Sequence, residues 1–586
     1  MSLQQHQGIQ PVDTEGMARE AGLLSLMWAS EGSIIGSGWL FGALTAATFA
    51  GPSVIISWVV ASIIVIFLAL VHAELGGLFP VSGGTSRFPH YAFGSLAGAT
   101  FGWFSYIQAA TVAPIEVLAA IQYFSAWIPG GSSLYTGTKL TALGIVIAIA
   151  LVALFTVINV LGIRWLTRAN DSLTTWKVLI PVLTIIVFLA VQFHGSNFSS
   201  HGFFTHGSAF KSILIAIPSG GIVFSLLGFE QAVQLGGESA NPKRDLPRAV
   251  IGSVLIGTAI YVLVQVAFIA AIQPQYLTSF HGWAGLGASI HNHMLVRLQS
   301  APFATVATVG GLAWLAFILH LDAAVSPSGT GLIYLTSASR ISFGLARNGY
   351  IPAAFERNHP RTKVPVLGII VTAFIGILFL LPFPSWNSLV NVVTSASVLM
   401  YAGAPLALGA LRHQKPELPR TFRLPAAGIL APLSFVLATL IVYWSGWKTY
   451  STLMVVMVIG FLLMGASYVF HLNPKAKRID WRAAIWVFPY VLGMIPISYF
   501  GGFGPGGIIG SVGPFKHVLV GGCNHQAGNG GCTAAQAHSG LPLYVGLGVV
   551  IVFALVIYYA AMWTRLDPEQ VDENVADVYP PSLAAG

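Results

Sequence analysis

The chain has 586 residues, of which 55% are hydrophobic and only 8% are charged, whereas soluble domains carry about 25% charged residues. So few charges cannot cover a globular protein of this length, which excludes a cytosolic enzyme and a disordered chain. The formal net charge of +8 could suggest a nucleic-acid partner, but the positions of the basic residues argue against one. The composition is typical of an all-α polytopic membrane protein.

Fourteen apolar segments are long enough to cross a bilayer, which requires about 20 residues per helix. They are continuous runs, not the alternating segments of about ten residues that build a transmembrane β-barrel. Their centres lie near residues 35, 63, 110, 150, 182, 223, 260, 318, 372, 398, 435, 461, 494 and 552.

The basic residues predict the orientation of these segments through the positive-inside rule. With a cytoplasmic N-terminus, 21 of the 27 Lys and Arg residues fall in cytoplasmic segments, five fall outside, and Lys177 lies within a span. This distribution predicts an even number of helices, both termini in the cytoplasm and a location in the cell membrane. It also explains the positive charge without a nucleic-acid partner.

Two spans are interrupted by small residues. The first contains GSIIGSGWLFG (Gly32 to Gly42), and the sixth contains PSGGIVFSLLGFE (Pro218 to Glu230). Glycine destabilises a helix by about 1 kcal/mol relative to alanine, and unwound backbone at membrane depth persists only where it lines a cavity. Close helix packing is the alternative for a single glycine, but two dense, matched breaks favour a transporter binding site.

Broken helices can bind both charged groups of an amino acid. The N-terminus of a half-helix presents free N–H groups to an anion, and exposed carbonyl groups at the opposing ends suit a cation. If helices 1 to 5 and 6 to 10 are inverted repeats, the two breaks occupy equivalent positions and face each other. We therefore expect the carboxylate and the ammonium group of a substrate to bind between them.

Five ionisable residues fall within spans, and such residues are functional candidates because their burial is costly. Glu116 and Asp322 could each bind a substrate ammonium, carry a proton or pair with a helix end. Glu230 is interpreted as a brace for the break in helix 6, and Glu31 as a proton site or a cap. Lys177 could exchange a proton with conformation, because burial disfavours its charged form; a lysine snorkelling to the cytoplasmic interface is the equal alternative.

Several segments together resemble the amino acid–polyamine–organocation (APC) superfamily of secondary transporters. GSIIGSGWLFG is similar to its helix 1 signature, and VFSLLGFE with the later ESANPKRDLPRAV is similar to its helix 6 region. ELGGLFPVSGGTSRFPHYAFG resembles the loop after helix 2. ASRISFGLARNGYIPAAFERNHPRTKVP resembles the stretch after helix 8, with Asn348 where aspartate is usual. The resemblance extends from residue 32 to 365 and weakens after about residue 410.

The resemblance implies a broken-helix 5+5 inverted-repeat core with four additional C-terminal helices, about fourteen transmembrane helices in all, working by alternating access. The predicted parts are residues 1–20, a cytoplasmic segment; 21–195, the first repeat; 196–412, the second repeat; 413–563, helices 11 to 14 with an external loop near 501–540; and 564–586, a cytoplasmic tail expected to be mobile.

The resemblance also implies roles for individual residues. The helix 1 break would bind the substrate carboxylate, and the helix 6 break would bind the amino group and gate the site. The implied residues are Ser33, Ile34, Gly36, Ser37 and Gly38 in helix 1, with Phe224, Ser225 and Gly228 in helix 6. Lys177 matches members with a lysine in helix 5, where the amine replaces a sodium ion and serves proton coupling. Protons are therefore favoured over sodium.

The predicted function is proton-coupled symport of an amino acid or a related amine. An amino-acid/amine exchanger or polyamine carrier is the alternative on the same fold, and a sensor that binds without translocating is a third. Asp322 with AAVSPSGTGLIY resembles a fourteen-helix subgroup that includes aspartate–proton symporters, but no basic residue is available in the inferred pocket for a second carboxylate. The sequence does not indicate an oligomeric state.

The sequence carries no sign of catalytic or cofactor chemistry. It contains no phosphate-binding GK[ST] loop, no HExxH motif and no nucleophile elbow, so neither an enzyme nor an ATP-driven pump is expected, and no cofactor or metal is predicted. Cys523 and Cys532 flank NHQAGNGG in the external loop, where an oxidising environment favours a disulfide. Free thiols, or a metal bound with His517, His525 or His538, remain alternatives.

Overall fold

The computed structural model describes residues 19–136, 139–161, 163–204, 209–288, 292–476, 479–503 and 542–579, and most of these residues are helical. The first part of the chain contains α1 (Leu23–Ile34), α2 (Ser37–Ala50), α3 (Val54–Leu78), α4 (Gly84–Phe93), α5 (Ser95–Ser125), α6 (Ala142–Leu161) and α7 (Ile163–Val191). Between α5 and α6, two short strands, β1 (Tyr135–Thr136) and β2 (Lys139–Leu140), pair antiparallel with Tyr135 opposite Leu140.

The middle of the chain repeats the pattern of an interrupted span followed by long helices. It contains α8 (Ala209–Ser219), α9 (Ile222–Leu226), α10 (Gln231–Gln234), α11 (Pro242–Ala271), α12 (Pro274–Ser279), α13 (His293–Ser300), α14 (Pro302–Val309), α15 (Ala313–Arg347), α16 (Val366–Leu380) and α17 (Trp386–Gln414). Ser385 precedes α17 and its hydroxyl accepts a hydrogen bond from the Ser388 N–H, as an N-cap does.

The last part of the chain adds further helices. They are α18 (Ala427–Trp444), α19 (Gly446–Val469), α20 (Trp481–Ala484), α21 (Val487–Phe500), α22 (Leu543–Thr564) and α23 (Pro568–Val575). Short 3₁₀ helices lie at Gly51–Ser53, Gly131–Ser133, Gly195–Phe198, Gly236–Glu238, Ala284–Gly287 and Ala353–Glu356.

The predicted all-α polytopic architecture is confirmed. Within the described ranges, ten helical segments are long and apolar enough to cross a membrane. Each predicted span centre lies in a helix, except residue 35, which lies in the gap between α1 and α2. Four predicted spans are not recognised by length and composition alone: α1 and α8 to α10 belong to interrupted spans, α16 has only 15 residues, and α15 is rich in Ser, Thr and Gly.

Burial separates the central helices from the peripheral ones. The most apolar windows of α5 and α17 are 94% buried, and both helices pack against neighbours along their length. The corresponding windows of α6 and α19 are only 28% and 22% buried. Apart from Lys448 near the start of α19, the exposed residues of α6 and α19 are apolar or small, so these two helices face the hydrocarbon of the bilayer.

The described part of the C-terminal tail is packed, contrary to the expectation of a mobile segment. Asp577 forms an ion pair with Arg87, which is buried. The Tyr579 hydroxyl donates a hydrogen bond of 2.5 Å to the Leu78 carbonyl, and Asp572 lies 2.6 Å from the Lys415 ammonium. The tail therefore covers the face of the bundle where α3 ends and α4 lies.

Candidate functional site

The first span is broken over two residues. Ile35 has φ −88° and ψ 82°, and Gly36 has φ −116° and ψ −145°, so neither continues the helix. A Cβ atom at Gly36 would lie 2.8 Å from both Glu116 Oε1 and Thr330 Oγ1. Only glycine fits, because neighbouring polar side chains fill the space at the break.

The sixth span is broken between α9 and α10, and this break contacts the first one. Gly228 has φ +128°, a conformation that side chains disfavour. A Cβ atom at Gly228 would lie 2.6 Å from the backbone nitrogen of Ile34, and one at Gly38 would lie 2.9 Å from Ser225 Cα. The two interrupted spans therefore touch at their breaks.

A small cavity lies between the two breaks. The space open to the centre of a water molecule is about 10 Å³, roughly enough for one water. Six of the predicted substrate residues line it: Ser33, Ile34, Gly36, Gly38, Glu116 and Phe224. Val112, Leu227, Thr330 and Tyr334 complete the lining. Ser37, Ser225 and Gly228 do not line the cavity but contact residues that do.

Glu116 lies at the N-terminus of α2. Its Oε2 accepts a hydrogen bond of 2.8 Å from the Ser37 N–H, and its Oε1 accepts one of 3.1 Å from the Ser37 hydroxyl. Free N–H groups and the positive end of the helix dipole both favour a carboxylate there. Glu116 thus occupies the half-helix end that the resemblance assigns to a substrate carboxylate.

Lys177 contacts the opposite side of the same break. Its side chain is fully buried, and Nζ donates hydrogen bonds to the Gly32 carbonyl and, over 2.8 Å, to Thr330 Oγ1. Thr330 in turn donates to the Gly32 carbonyl over 2.9 Å. The side chain points to the break and does not snorkel to an interface. Sequence reasoning missed Thr330, although it lies in the SPSGTGLIY segment that follows Asp322.

Glu31 lies one residue before Gly32 and is also buried. Neither of its carboxylate oxygens has a hydrogen-bond partner among the described residues. Neither oxygen accepts a helix N–H among the described residues, so the structure does not support the predicted cap, and the proton-site role of Glu31 stays a prediction.

Asp322 is not part of the cavity lining. Its Oδ2 accepts a hydrogen bond of 3.0 Å from the Trp39 indole, and its Oδ1 accepts from the Trp176 indole at 3.0 Å and from the Ser326 hydroxyl at 2.7 Å. We call Asp322, Trp39, Trp176 and Ser326 the Asp322 cluster. It joins α2, α7 and α15, and it leaves neither carboxylate oxygen without a donor.

Glu230 follows the break in the sixth span. Its Oε2 accepts hydrogen bonds from the Gly228 N–H at 2.9 Å and from the Tyr401 hydroxyl at 2.6 Å. The Tyr334 hydroxyl donates to Oε1 over 3.3 Å. These contacts tie the unwound segment to α15 and α17.

Two other predictions concern residues away from Glu230. In the described part of the chain, no basic side chain lines the cavity between the breaks, as expected from the sequence. Cys523, Cys532 and the nearby histidines lie outside the described residues.

Comparison with known proteins matches residues 22–464 to a family described as amino acid permease. The glutamate/serine transporter AimA of Bacillus subtilis is 36% identical over 498 residues, which cover 84% of this chain and 89% of that protein. The aspartate-proton symporter of the same organism is 36% identical over 504 residues, covering 85% and 93%. The branched-chain amino acid permease BcaP of Bacillus subtilis is 27% identical over 464 residues, which cover 77% of this chain and 93% of that protein.

The range matched to the family, residues 22–464, includes both broken spans and all the residues of the site. Both Bacillus relatives at 36% identity extend over more than four-fifths of this chain. The protein belongs to the amino acid permease family and is a multi-pass membrane transporter, not an enzyme.

Proposed function

We propose that this protein is a proton-coupled symporter of an amino acid that works by alternating access. The observation that carries the proposal is the Lys177 ammonium group on the Gly32 carbonyl at the break of the first span. Carbonyl groups at the end of a half-helix attract a cation. Because the protonatable side chain of Lys177 fills that place, its proton can supply the positive charge that a bound metal cation would otherwise supply.

Proton loss from Lys177 would change how α1 is held. The charged ammonium group ties α1 to α7, and Thr330 ties it to α15. A neutral amine donates weaker hydrogen bonds than a charged one. Release of the proton would therefore loosen α1 and open the cavity, and Glu31, one residue before Gly32, is a second candidate for carrying the proton.

The substrate carboxylate would compete with Glu116 for the N-terminus of α2. A protonated Glu116 is a poorer acceptor for the Ser37 N–H than a charged one, so protonation would favour exchange of one carboxyl group for the other. The names of the relatives include glutamate, serine, aspartate and branched-chain amino acids. These compounds share only the α-amino and α-carboxyl groups, which supports recognition of those groups by the two breaks.

We also infer that the protein lies in the plasma membrane and that both of its termini are in the cytoplasm. The Ala21 N–H donates to the Glu238 carbonyl over 3.0 Å, near the start of the described chain. The Leu566 N–H donates to the Ala92 carbonyl near its end. A backbone bridge between Ser82 and Leu235 joins these two regions, which supports placing both ends on one face, the face that the basic residues mark as cytoplasmic.

The proposal is tested by uptake of radiolabelled solutes into proteoliposomes, with and without an inside-alkaline pH gradient. The panel contains aspartate, glutamate, serine, leucine, arginine and putrescine. Gradient-driven accumulation of an amino acid is expected. Uptake only into vesicles preloaded with a related solute, without response to the gradient, would instead show an exchanger.

Lys177→Ala is the variant that tests the coupling group. We expect it to lose gradient-driven accumulation and to keep measurable substrate binding, because Lys177 lies behind the break and does not line the cavity. Lys448→Ala removes an exposed lysine on α19 and serves as the matched control. Accumulation by Lys177→Ala equal to that of the control would refute the coupling role.

A further inference from the structure

A second cavity lies between the start of α5, the end of α19 and the α20–α21 region. Its volume, measured as the space open to the centre of a water molecule, is about 440 Å³. It shares no lining residue with the cavity between the breaks. Leu96, Phe461, Met464 and Phe488 are among the apolar side chains that line it.

The Tyr350 and Ser95 hydroxyl groups in the lining are already hydrogen-bonded, and the other two polar side chains, Tyr468 and Trp481, are exposed. The Tyr350 hydroxyl lies 2.7 Å from His90 Nδ1. The Ser95 hydroxyl accepts a hydrogen bond of 3.0 Å from the Asp480 N–H. A polar solute would lose its hydrogen bonds with water and find few replacements here. The cavity therefore suits a hydrocarbon chain.

The rim of the cavity faces the bilayer. Val469 on α19 is 67% exposed and Trp481 is 54% exposed, and α19 is among the least buried of the membrane helices. Exposed apolar side chains on a membrane helix contact lipid. The occupant can therefore enter sideways from the membrane, which is where acyl chains are.

Positive charge lies beside the same rim. Arg482 directly follows Trp481, is exposed, and has no ion-pair partner among the described residues. Residues 475 to 482 carry four basic side chains, of which Lys477 and Arg478 lie outside the described residues, and one acidic side chain, Asp480, which accepts a hydrogen bond from the Ser95 N–H over 2.8 Å. Lys475 is half-exposed and pairs with Glu356 over 2.5 Å. Tryptophan favours the membrane interface, and basic segments next to a membrane helix attract anionic lipids.

We infer that this cavity binds one acyl chain of an anionic phospholipid, with the headgroup phosphate at Arg482. Such a lipid would contact both the start of α5 and Tyr350, in the segment that follows α15. It would stabilise the junction between the central helices and α19 to α21. In the orientation proposed above, the lipid belongs to the cytoplasmic leaflet.

Gly465 allows the acyl-chain part of the inference to be tested. It lines the cavity, and a Cβ atom there would meet nothing within 4 Å, so the leucine side chain of Gly465→Leu begins in open space and can occupy part of the cavity. Gly548→Leu is the matched control, because a Cβ atom at Gly548 also meets nothing within 4 Å, but Gly548 lies in α22 and does not line the cavity. Arg482→Ala tests the headgroup contact.

The measurement is retention of phosphatidylglycerol and phosphatidylcholine by the purified full chain in native mass spectrometry, with thermal unfolding in the presence of each lipid. Wild type and Gly548→Leu should retain phosphatidylglycerol and be stabilised by it, and Gly465→Leu should lose both effects. Arg482→Ala should weaken retention about fivefold, as expected for one basic residue near an anionic surface.

Three results would overturn the inference. Equal phosphatidylglycerol retention by Gly465→Leu and Gly548→Leu would exclude an acyl chain in this cavity. Equal retention of the two lipids by wild type would exclude recognition of the anionic headgroup. A change of oligomeric state in Gly465→Leu without any change in lipid retention would show that a second copy of the chain covers the cavity.

Discussion

At the scale of single residues, the site depends on one backbone carbonyl with two donors. The Gly32 carbonyl lies in the last turn of α1 and accepts hydrogen bonds from Lys177 and Thr330. Thr330 also accepts from Lys177, so its hydroxyl both orients the ammonium group and holds α1 to α15. The position of Lys177 therefore depends on a side chain that has no charge of its own.

Thr330→Val should separate this orienting role from packing. Valine has a similar shape, but removing a buried hydrogen-bonding group costs about 1–3 kcal/mol, so we expect reduced gradient-driven uptake and lower thermal stability. Thr330→Ser keeps the hydroxyl and is expected to retain the response to the pH gradient. Uptake into proteoliposomes at several pH gradients checks both variants. Equal loss in valine and serine variants would assign Thr330 to packing only.

At the scale of elements, the two breaks can approach each other closely because glycine, which has no side chain, lies at their contacts. The Gly228 backbone lies against Ile34 and Ser33, and Gly38 lies against Ser225. This close approach brings the N-terminus of α2 to the unwound part of the sixth span. The geometry of the cavity follows from glycine at these contacts.

Gly228→Ala should disrupt this contact. Its φ of +128° is disfavoured for alanine, and the new Cβ would lie 2.6 Å from the Ile34 nitrogen. Strain of this kind costs about 1–3 kcal/mol, so we expect a lower unfolding temperature and loss of uptake. Gly548→Ala, in open space on α22, is the control. Unchanged stability and uptake in Gly228→Ala would contradict the observed contact between the breaks.

Asp322 also acts between elements, through the Asp322 cluster. Asp322→Asn removes one of the acceptors used by Trp39, Trp176 and Ser326. We expect a loss of stability of about 1–3 kcal/mol with little change in substrate affinity, because Asp322 does not line the cavity. Thermal unfolding and substrate binding measured on the same preparation test this. A large loss of affinity with unchanged stability would restore the predicted substrate contact.

At the scale of the whole molecule, the C-terminal tail closes one face of the bundle. Arg87 is buried beneath it and pairs with Asp577, and Arg87 Nε also donates to the Asn348 side chain over 3.2 Å. The segment after α3 is thus linked both to the segment after α15 and to the end of the described chain. If this face moves during transport, these contacts must either break or move with it as a unit.

Asp577→Ala should therefore destabilise the closed face. Removing the carboxylate that pairs with buried Arg87 is expected to cost about 1.5–3 kcal/mol, as for other hydrogen bonds to charged groups. Glu573→Ala removes an exposed carboxylate of α23 and is the control. Thermal unfolding measures the difference, and protease cleavage of the tail should be faster in Asp577→Ala. Identical behaviour of the two variants would show that the ion pair does not hold the tail.

The sequence alone determined the membrane class, the positions of the spans and the two interruptions, because hydropathy and glycine density act locally along the chain. Lys177 was recognisable because a charge within an apolar span has few explanations. Only the tertiary structure decided which side chains meet. Thr330 on the Gly32 carbonyl, two tryptophans on Asp322 and the tail on Arg87 join residues more than 140 positions apart, and such contacts depend on how helices pack, which no local pattern records.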